Sequence, residues 1–365
     1  SNSSVTYSEV YILSIILFLL IFLMSAERSP RGEVFEEQFP VSQTRALKGL
    51  FAIGIIFHHL GSYIGEGFPS LLAFKNIGYL LVGAFFFISG YGLTYGVVNK
   101  PGYMNGFLRR RFLPVFFTYT VIDLFYWVVK YICGGLTLKH IILSLFGLNE
   151  ELWFASVILW LYIAYSICFL LFGKHGGMIA MTIATVVYMG VLLCLYRFCG
   201  NMIFGFWWYN SIPCFTLGMW YCAYRERIDT FFRMNRKLLL PLVPLLTAAL
   251  FAVTVIRPDD STRLYVLAAQ ILCALAFSAS VLILSMKLRL GGPFLSLCGD
   301  LSLELYLFHA IFIFAWRSNL RLFGITFYIK SDDLFFAAVL LWTFVASYVV
   351  HLIQKYIFKR NKAKK

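Results

Sequence analysis

Residues 45–59 read Arg-Ala-Leu-Lys-Gly-Leu-Phe-Ala-Ile-Gly-Ile-Ile-Phe-His-His, and this stretch decides the fold that the sequence predicts. Two cations, Arg45 and Lys48, lead into nine uncharged residues that end at the pair His58 and His59. An uncharged, apolar run of this kind is typical of a helix that crosses a membrane. Ionisable side chains are costly inside a membrane, so the cations and the histidines are candidate functional residues.

The geometry of this helix relates its two ends. At about 1.5 Å and about 100° per residue, Lys48 and His59 lie roughly 16 Å apart on one face, and Arg45 lies on nearly the same face. His58 points about 100° away from His59. We therefore expect His59 to act together with the cations, and His58 to pack against a neighbouring helix or to support His59.

The whole chain has the composition of a membrane protein. Of its 365 residues, 61% are hydrophobic and only 13% are charged, and its mean hydropathy is +0.80. Soluble domains carry about 25% charged residues. The composition therefore predicts an all-α polytopic membrane protein without a large soluble domain.

Eleven apolar runs are long enough to span a bilayer as helices. They lie near residues 9–25, 46–64, 77–98, 112–132, 152–173, 178–196, 203–223, 238–256, 264–285, 294–316 and 334–358. We divide the chain into an N-terminal anchor helix with a cytoplasmic linker (1–40), a ten-helix membrane domain (41–358) and a basic cytoplasmic tail (359–365).

The distribution of Lys and Arg predicts the orientation of these helices. Most of the 31 cations fall in alternate loops and in the tail, which the positive-inside rule places in the cytoplasm. The N-terminus is then outside, the C-terminus is cytoplasmic, and the protein is a multi-pass protein of the cell (plasma) membrane. Arg45 and Lys48 then lie at the cytoplasmic surface, while His58 and His59 lie towards the outer half of the bilayer.

Nucleic-acid and metal binding fit the sequence less well. The net charge of +14 comes from short cytoplasmic loops and the tail, so we do not expect a nucleic-acid partner. The eight cysteines are scattered, mostly within apolar runs, without the spacing of a metal site. They are expected to be small core residues. We expect no metal and no permanently bound cofactor.

Five motifs in the same order resemble those of the acyltransferase-3 family of integral membrane acyltransferases. Lys48 followed by an apolar run to His59 is similar to the family's R/K-X10-H motif, with lysine where arginine is commoner. The other four stretches are Gly83-Ala-Phe-Phe-Phe-Ile-Ser89-Gly90-Tyr91, Arg109-Arg110-Arg111-Phe-Leu-Pro114, Leu152-Trp153-Phe154 and Gly299-Asp300-Leu-Ser302-Leu-Glu304-Leu-Tyr306-Leu-Phe-His309. The resemblance covers about residues 40–358 and implies a ten-helix core, to which the first helix is an addition.

The resemblance implies transfer of an acyl group, commonly acetyl, from cytosolic acyl-CoA (acetyl-CoA) to a hydroxyl group outside, commonly of a sugar. Acyl-CoA is then the co-substrate, and the partners are the lipid bilayer and a carbohydrate acceptor on the outer side. Lys48, Arg45, Arg111 and Arg110 are expected to bind the phosphates of CoA. For the arginines a topology signal alone is the alternative. The acceptor, the acyl group and the oligomeric state stay open.

Catalysis is expected at His59. A neutral imidazole in apolar surroundings can take the proton of the acceptor hydroxyl as a general base, or carry the acyl group as a covalent relay, and the sequence leaves both routes open. Ser302, Tyr306 and His309 share one helical face. They are expected to meet His59 and to orient it or the substrate, and a hydrogen-bonded contact between helices is the alternative.

Three further polar features are expected to support the site. Glu304 lies on another face from Tyr306 and needs a buried partner. Asp123 and Lys130 are seven residues apart on one helical face, so we expect them to compensate each other or the charges of other helices. The stretch Trp207-Trp208-Tyr209 is expected in an interfacial belt or at the outer mouth of the cavity.

Two other functional classes account for part of the pattern. A transporter or flippase for a lipid-linked or small polar substrate explains many helices with polar groups at depth, but not the ordered motifs. A haem protein with His58, His59 and His309 as ligands needs histidines on facing helices, and two adjacent histidines cannot both face one haem.

Overall fold

The computed structural model describes residues 6–63, 74–198, 204–256, 264–317, 320–322 and 325–360, with backbone only for residues 6–14, 62–63, 320–322, 325–327 and 359–360. Of the predicted tail, residues 361–365 lie outside the described residues, as does Cys199. The structure is 82% helical, which supports the predicted all-α class.

Thirteen helices are present in the described part of the chain. They are α1 (Thr6–Ser25), α2 (Val41–Tyr63), α3 (Gly78–Asn99), α4 (Leu113–Ile132), α5 (Leu138–Leu145), α6 (Trp153–Phe198), α7 (Pro213–Ala223), α8 (Arg225–Met234), α9 (Arg236–Ile256), α10 (Leu264–Leu284), α11 (Pro293–Asp300), α12 (Ser302–Arg317) and α13 (Asp332–Arg360). Short turns precede three of them: a π-helical turn (Leu108–Phe112) before α4, and 3-10 turns before α6 (Glu150–Leu152) and α7 (Phe206–Trp208).

Four three-residue strands depart from the all-α prediction. Strand β1 (Ala26–Arg28) pairs antiparallel with β2 (Leu288–Leu290), so that Arg28 lies opposite Leu288. Strand β3 (Leu320–Leu322) pairs antiparallel with β4 (Ile325–Phe327). Both ladders lie between helices, and the first fixes the linker after α1 to the loop after α10.

The predicted count of eleven spans is not confirmed. By length and composition, six segments of the described chain can cross a membrane, or seven when α11 and α12 count as one broken span. The six are Gly78–Asn99, Leu108–Ile132, Leu138–Phe198, Arg236–Ile256, Leu264–Leu284 and Asp332–Phe358. Helix α2 is not among them, because its cations and histidines lower its hydropathy.

Four of the predicted spans differ in detail from the helices observed. The run at 203–223 becomes a 3-10 turn and the short helix α7, which begins at Pro213. The run at 294–316 is broken at Leu301, where α11 and α12 meet at an angle of 75°. Two predicted helices, 152–173 and 178–196, join in α6 around Gly173, whose φ of 67° interrupts the helical backbone.

Helix α3 lies at the centre of the molecule. It is the most buried of the candidate spans, at 72%, whereas α9 is only 6% buried and therefore peripheral. Two glycines let α3 and α7 approach closely: a Cβ built at Gly90 would lie 2.0 Å from the Phe215 carbonyl oxygen, and one at Gly218 would lie 2.1 Å from that of Phe87. The Ser-Gly pair of the second motif therefore marks a backbone contact between helices.

Loops that the sequence places on one side of the membrane contact each other. The backbone N–H of Ser29 donates to the Lys287 carbonyl at 3.0 Å. Arg225 lies 3.3 Å from the Glu37 carboxylate, and Arg289 donates to the Glu37 carbonyl at 2.8 Å. These contacts join the segments after α1, α7 and α10.

Candidate active site

Helix α2 carries cations at one end and imidazoles at the other. Near its start, Arg45 Nε lies 3.1 Å from a carboxylate oxygen of Asp300, at the break between α11 and α12. The two backbones nearly touch here, because a Cβ at Gly49 would lie 2.3 Å from the Leu295 carbonyl oxygen, and one at Gly299 would lie 1.9 Å from that of Arg45. The break between α11 and α12 therefore packs against the first turns of α2.

Lys48 is the unpaired cation of this end. It is half-buried, and no described residue accepts a hydrogen bond from its ammonium group. Charges on Arg111 and Arg45, and on the carboxylates Asp300 and Glu304, act on it from nearby. Since Arg45 pairs with Asp300, and Glu304 with His351 at 3.3 Å, Lys48 remains available to an anion.

The three arginines before α4 play different structural parts. Arg110 donates to the carbonyl of Asn105 at 2.6 Å and to that of Tyr103, so its guanidinium group closes the preceding turn. Arg111 uses only its Nε, which donates to the Tyr103 hydroxyl at 2.9 Å. Of the predicted anion-binding residues, Lys48 and Arg111 therefore have free donors and no carboxylate partner among the described residues. Arg45 is paired with Asp300, and Arg110 is bound to the preceding turn.

At the other end of α2, the structure brings His59 and His309 together. Their ring centroids lie 4.8 Å apart, at an interplanar angle of 40°. Tyr306, one turn earlier on α12, lies 5.8 Å from His309 and 4.6 Å from the ring of Phe154. The face of α12 that the sequence singles out thus meets the histidine of α2.

The hydrogen bond of His309 fixes its tautomer. His309 is buried, and its Nδ1 lies 3.3 Å from the carbonyl oxygen of Leu305, so Nδ1 carries the proton and donates it. In a neutral ring Nε2 is then an acceptor, and this atom has no partner among the described residues. His309 therefore presents an unused lone pair beside His59.

His58 extends the pair to a row of three imidazoles. Its ring centroid lies 4.8 Å from that of His59, and its Nδ1 donates to the Phe74 carbonyl at 2.8 Å. Nε2 faces the start of α3, where a Cβ at Gly78 would lie only 2.4 Å away. The ring therefore occupies space that a glycine leaves free, as a packed or supporting histidine requires.

A cavity of about 320 Å³ borders His58 and His59. This volume is at the lower end of the range of roughly 300–1,000 Å³ that small-molecule sites occupy. The lining residues are Ile55, His58, His59, Gly78, Tyr79, Val82, Glu150, Trp153, Trp207, Asn210 and Tyr306. The cavity joins α2, α3 and α12 with the turns that precede α6 and α7.

Three predicted residues of α12 do not line this cavity. His309 lies behind His59, with which it is in contact, and the other two are Ser302 and Glu304. Ser302 is buried at the start of the helix and is not among the lining residues, unlike Tyr306 one turn later. Glu304 faces α13, where its carboxylate lies 3.3 Å from Nδ1 of His351. The partner that Glu304 was expected to need is therefore a histidine that the sequence analysis did not single out.

Of the two expectations for Asp123 and Lys130, the direct pair is wrong, and each residue finds its partners in other segments. Asp123 accepts hydrogen bonds from Ser144 at 2.9 Å and Asn149 at 2.7 Å, and Lys130 lies 2.5 Å from Glu151. The segment after α4 folds back and supplies nearer partners than a residue two turns away. The structure therefore does not bring Asp123 to the histidine cavity.

Several cavity residues were missed or only partly anticipated. Trp207 lines the cavity, which agrees with the second of the two positions expected for Trp207-Trp208-Tyr209, at the cavity and not in an interfacial belt. Trp208 and Tyr209 are fully buried, so a lipid-facing belt is wrong for them. Glu150 and Asn210 were not predicted; the available signals were an acidic pair before the Leu-Trp-Phe motif and an amide within an apolar run.

Fold and site together define a helical membrane protein with buried imidazoles beside a cavity, and so a protein able to carry out acid–base or nucleophilic chemistry at depth. The chain belongs to the acyltransferase-3 family: the model of that family, described as an acyltransferase domain, matches residues 44–352. Neither the curated proteins nor the solved structures gave a match. Helix α1 and the linker at 26–40 lie before the matched region.

Proposed function

We propose that the protein transfers an acyl group, in the first instance acetyl, from cytosolic acyl-CoA to a hydroxyl of a carbohydrate on the outer side of the membrane. Its membership of the acyltransferase-3 family supports acyl transfer in a membrane. The observation that carries the proposal is the contact of His59 with His309 beside the cavity, with ring centroids 4.8 Å apart.

The arrangement along α2 supports a reaction whose two substrates bind at opposite ends of this helix. Lys48 and Arg111 offer free donors at the end where the basic loops meet, which is the cytoplasmic end by the positive-inside rule. His59 lies about 16 Å further along the same helix, next to the cavity. The donor's phosphates bind at the first end, and the acceptor hydroxyl reaches the imidazoles from the other.

The transfer needs a group that accepts one proton. The acceptor oxygen attacks the thioester carbonyl carbon, the carbon–sulfur bond breaks, and the hydroxyl proton passes to the imidazole of His59 while CoA leaves as a thiolate that is then protonated. In the relay alternative, an imidazole nitrogen first takes the acyl group and then passes it to the hydroxyl. His309, with its unused Nε2, orients His59 or the hydroxyl in either route.

The test uses the purified full-length chain in nanodiscs with labelled acetyl-CoA and a panel of sugar acceptors. We expect CoA release and labelled product from the wild-type protein, and at least a 100-fold loss with His59→Ala, because general acid–base catalysis contributes about 10²–10⁴-fold. His175→Ala is the matched control, since His175 is exposed and does not line the cavity; its ring centroid lies 6.1 Å from that of Trp220.

Two results would contradict the proposal. The first is that the wild-type protein gives no acylated product, no acyl adduct and no acyl-CoA binding across the panel. The second is full activity of His59→Ala. The two routes separate in a reaction without acceptor, where only the relay leaves labelled acyl on a histidine of the protein.

A further inference from the structure

A cationic pocket lies on the linker between α1 and α2. The linker precedes the region that matches the acyltransferase-3 family, and Lys287 of that region completes the pocket. Its volume is about 630 Å³, and it is lined by Arg28, Ser29, Pro30, Arg31, Gly32 and Lys287. Three of these six residues carry positive charge, and none carries negative charge. We call this site the linker pocket.

Hydrogen bonds hold the linker pocket in shape from two sides. The ladder of β1 and β2 places Arg28 opposite Leu288, and the N–H of Ser29 continues it to the Lys287 carbonyl at 3.0 Å. The turn that follows is closed by the Ser29 hydroxyl, which donates to the Glu33 carbonyl at 3.0 Å. The two backbone segments that carry Arg28 and Lys287 are therefore held in place without a ligand.

Within this turn, Gly32 adopts a φ of +89°, which L residues other than glycine rarely adopt. A Cβ built at Gly32 would meet no atom within 4 Å, so the glycine is needed for its backbone angle and not for space. Its carbonyl lies 3.4 Å from a guanidinium nitrogen of Arg236, a weak contact to the start of α9. The turn thus leaves open space beside Arg31.

The cations of the pocket are not neutralised by the protein. Arg28 and Arg31 are exposed, and in the described part of the chain no carboxylate or carbonyl pairs with either guanidinium group. Lys287 donates one hydrogen bond, to the Glu33 carbonyl, and keeps two further N–H groups. The nearby Glu37 is already paired, with Arg225 at 3.3 Å.

We infer that Arg28, Arg31 and Lys287 bind a phosphate group. Guanidinium groups match phosphate oxygens with paired N–H donors, and lysine adds a point charge. The phosphate belongs either to the headgroup of an anionic phospholipid or to a soluble phosphate ester such as the nucleotide part of a CoA. The positive-inside rule explains cations on this side, but it does not require three of them to line one pocket whose other lining residues are uncharged.

The experiment compares two probes with purified protein. Retention of phosphatidylglycerol against phosphatidylcholine is followed by native mass spectrometry through delipidation, and binding of adenosine 3′,5′-bisphosphate by calorimetry. The variant carries Arg28→Gln, Arg31→Gln and Lys287→Gln, which keep the apolar stems. Arg227→Gln is the matched control, because Arg227 is an exposed arginine of α8 on the same side and has no ion-pair partner in the part of the chain that the structure describes.

We expect the triple variant to lose at least 10-fold in affinity for one of the probes, and Arg227→Gln to bind like the wild-type protein. Loss for the lipid alone identifies a headgroup site, and loss for the nucleotide alone identifies a soluble phosphate ester. Equal binding by wild type and triple variant overturns the inference, as does an equal loss with Arg227→Gln. The single variants Arg28→Gln and Arg31→Gln, at exposed positions, serve if the triple variant does not fold. Neither readout depends on acyl transfer.

Discussion

The imidazole rings of His59 and His309 lie 4.8 Å apart, although one belongs to the second helix of the chain and the other to the second half of a broken helix near its end. Tyr306 contacts His309 at 5.8 Å and completes the face of α12 that meets α2. The pair is the only close contact between histidines of different helices among the described residues.

His309→Phe keeps a planar aromatic ring at this position but removes the free Nε2, so we expect activity to fall by about 10²-fold. If the two histidines act as a unit, the double variant with His59→Ala loses no more than His59→Ala alone. Initial rates of acetyl transfer at saturating donor measure both effects. Losses that multiply in the double variant would show that the residues act independently.

Gly78→Ala tests the packing of the His58 ring against the start of α3. The new methyl group would lie 2.4 Å from His58 Nε2, and overpacking of this kind costs about 1–3 kcal/mol in the free energy of unfolding. The double variant with His58→Ala removes the imidazole ring that the new methyl group would clash with. We expect it to recover most of the lost free energy of unfolding. SDS titration in mixed micelles measures the difference. A double variant less stable than Gly78→Ala would place the strain elsewhere.

Gly90→Ala and Gly92→Ala form a matched pair on one helix. At Gly90 the Cβ would lie 2.0 Å from the Phe215 carbonyl oxygen, whereas at Gly92 it would meet nothing within 4 Å. We expect Gly90→Ala to destabilise the protein by about 1–3 kcal/mol and Gly92→Ala to stabilise it by up to about 1 kcal/mol. Equal melting temperatures for the two variants would contradict the close approach of α3 and α7.

The Glu304 and His351 pair is expected to stabilise the fold without taking part in the reaction. Glu304→Ala leaves the buried Nδ1 of His351 without its partner, at a cost of about 1–3 kcal/mol in unfolding free energy. Replacing both residues, by Glu304→Leu and His351→Phe, should restore stability, because no buried polar atom is then stranded. The turnover number of the folded fraction is expected to stay close to wild type; a loss comparable to that of His59→Ala would assign Glu304 to the active site.

Features set by local periodicity were accessible from the sequence. Helical phase alone separates His59 from His58 and puts Ser302, Tyr306 and His309 on one face, and the structure brings His59 and His309 together. The positions of the cations and the imidazoles at opposite ends of α2 were predictable in the same way, because Lys48 and His59 belong to a single helix. The helix count is less secure, since it assumes that each apolar run becomes one straight helix.

Features set by contacts between distant segments were not accessible. The break at Leu301 depends on the packing of α11 against α2, and no residue at the break signals it in the sequence. Asp123 and Lys130 share a face, but the returning segment brings Asn149 and Glu151 closer to them. The linker pocket joins Arg28 to Lys287 through a ladder of two three-residue strands, which are too short for a sequence pattern to predict.

The contact of Gly49 and Gly299 has a mechanical consequence. The backbones of α2 and α11 are so close here that α2 cannot rotate or slide against α11 without losing the contact. Lys48 and His59 belong to one continuous helix, so a ligand that draws Lys48 aside must carry His59 with it. A tilt of α2 about the glycine contact therefore moves both of its ends together.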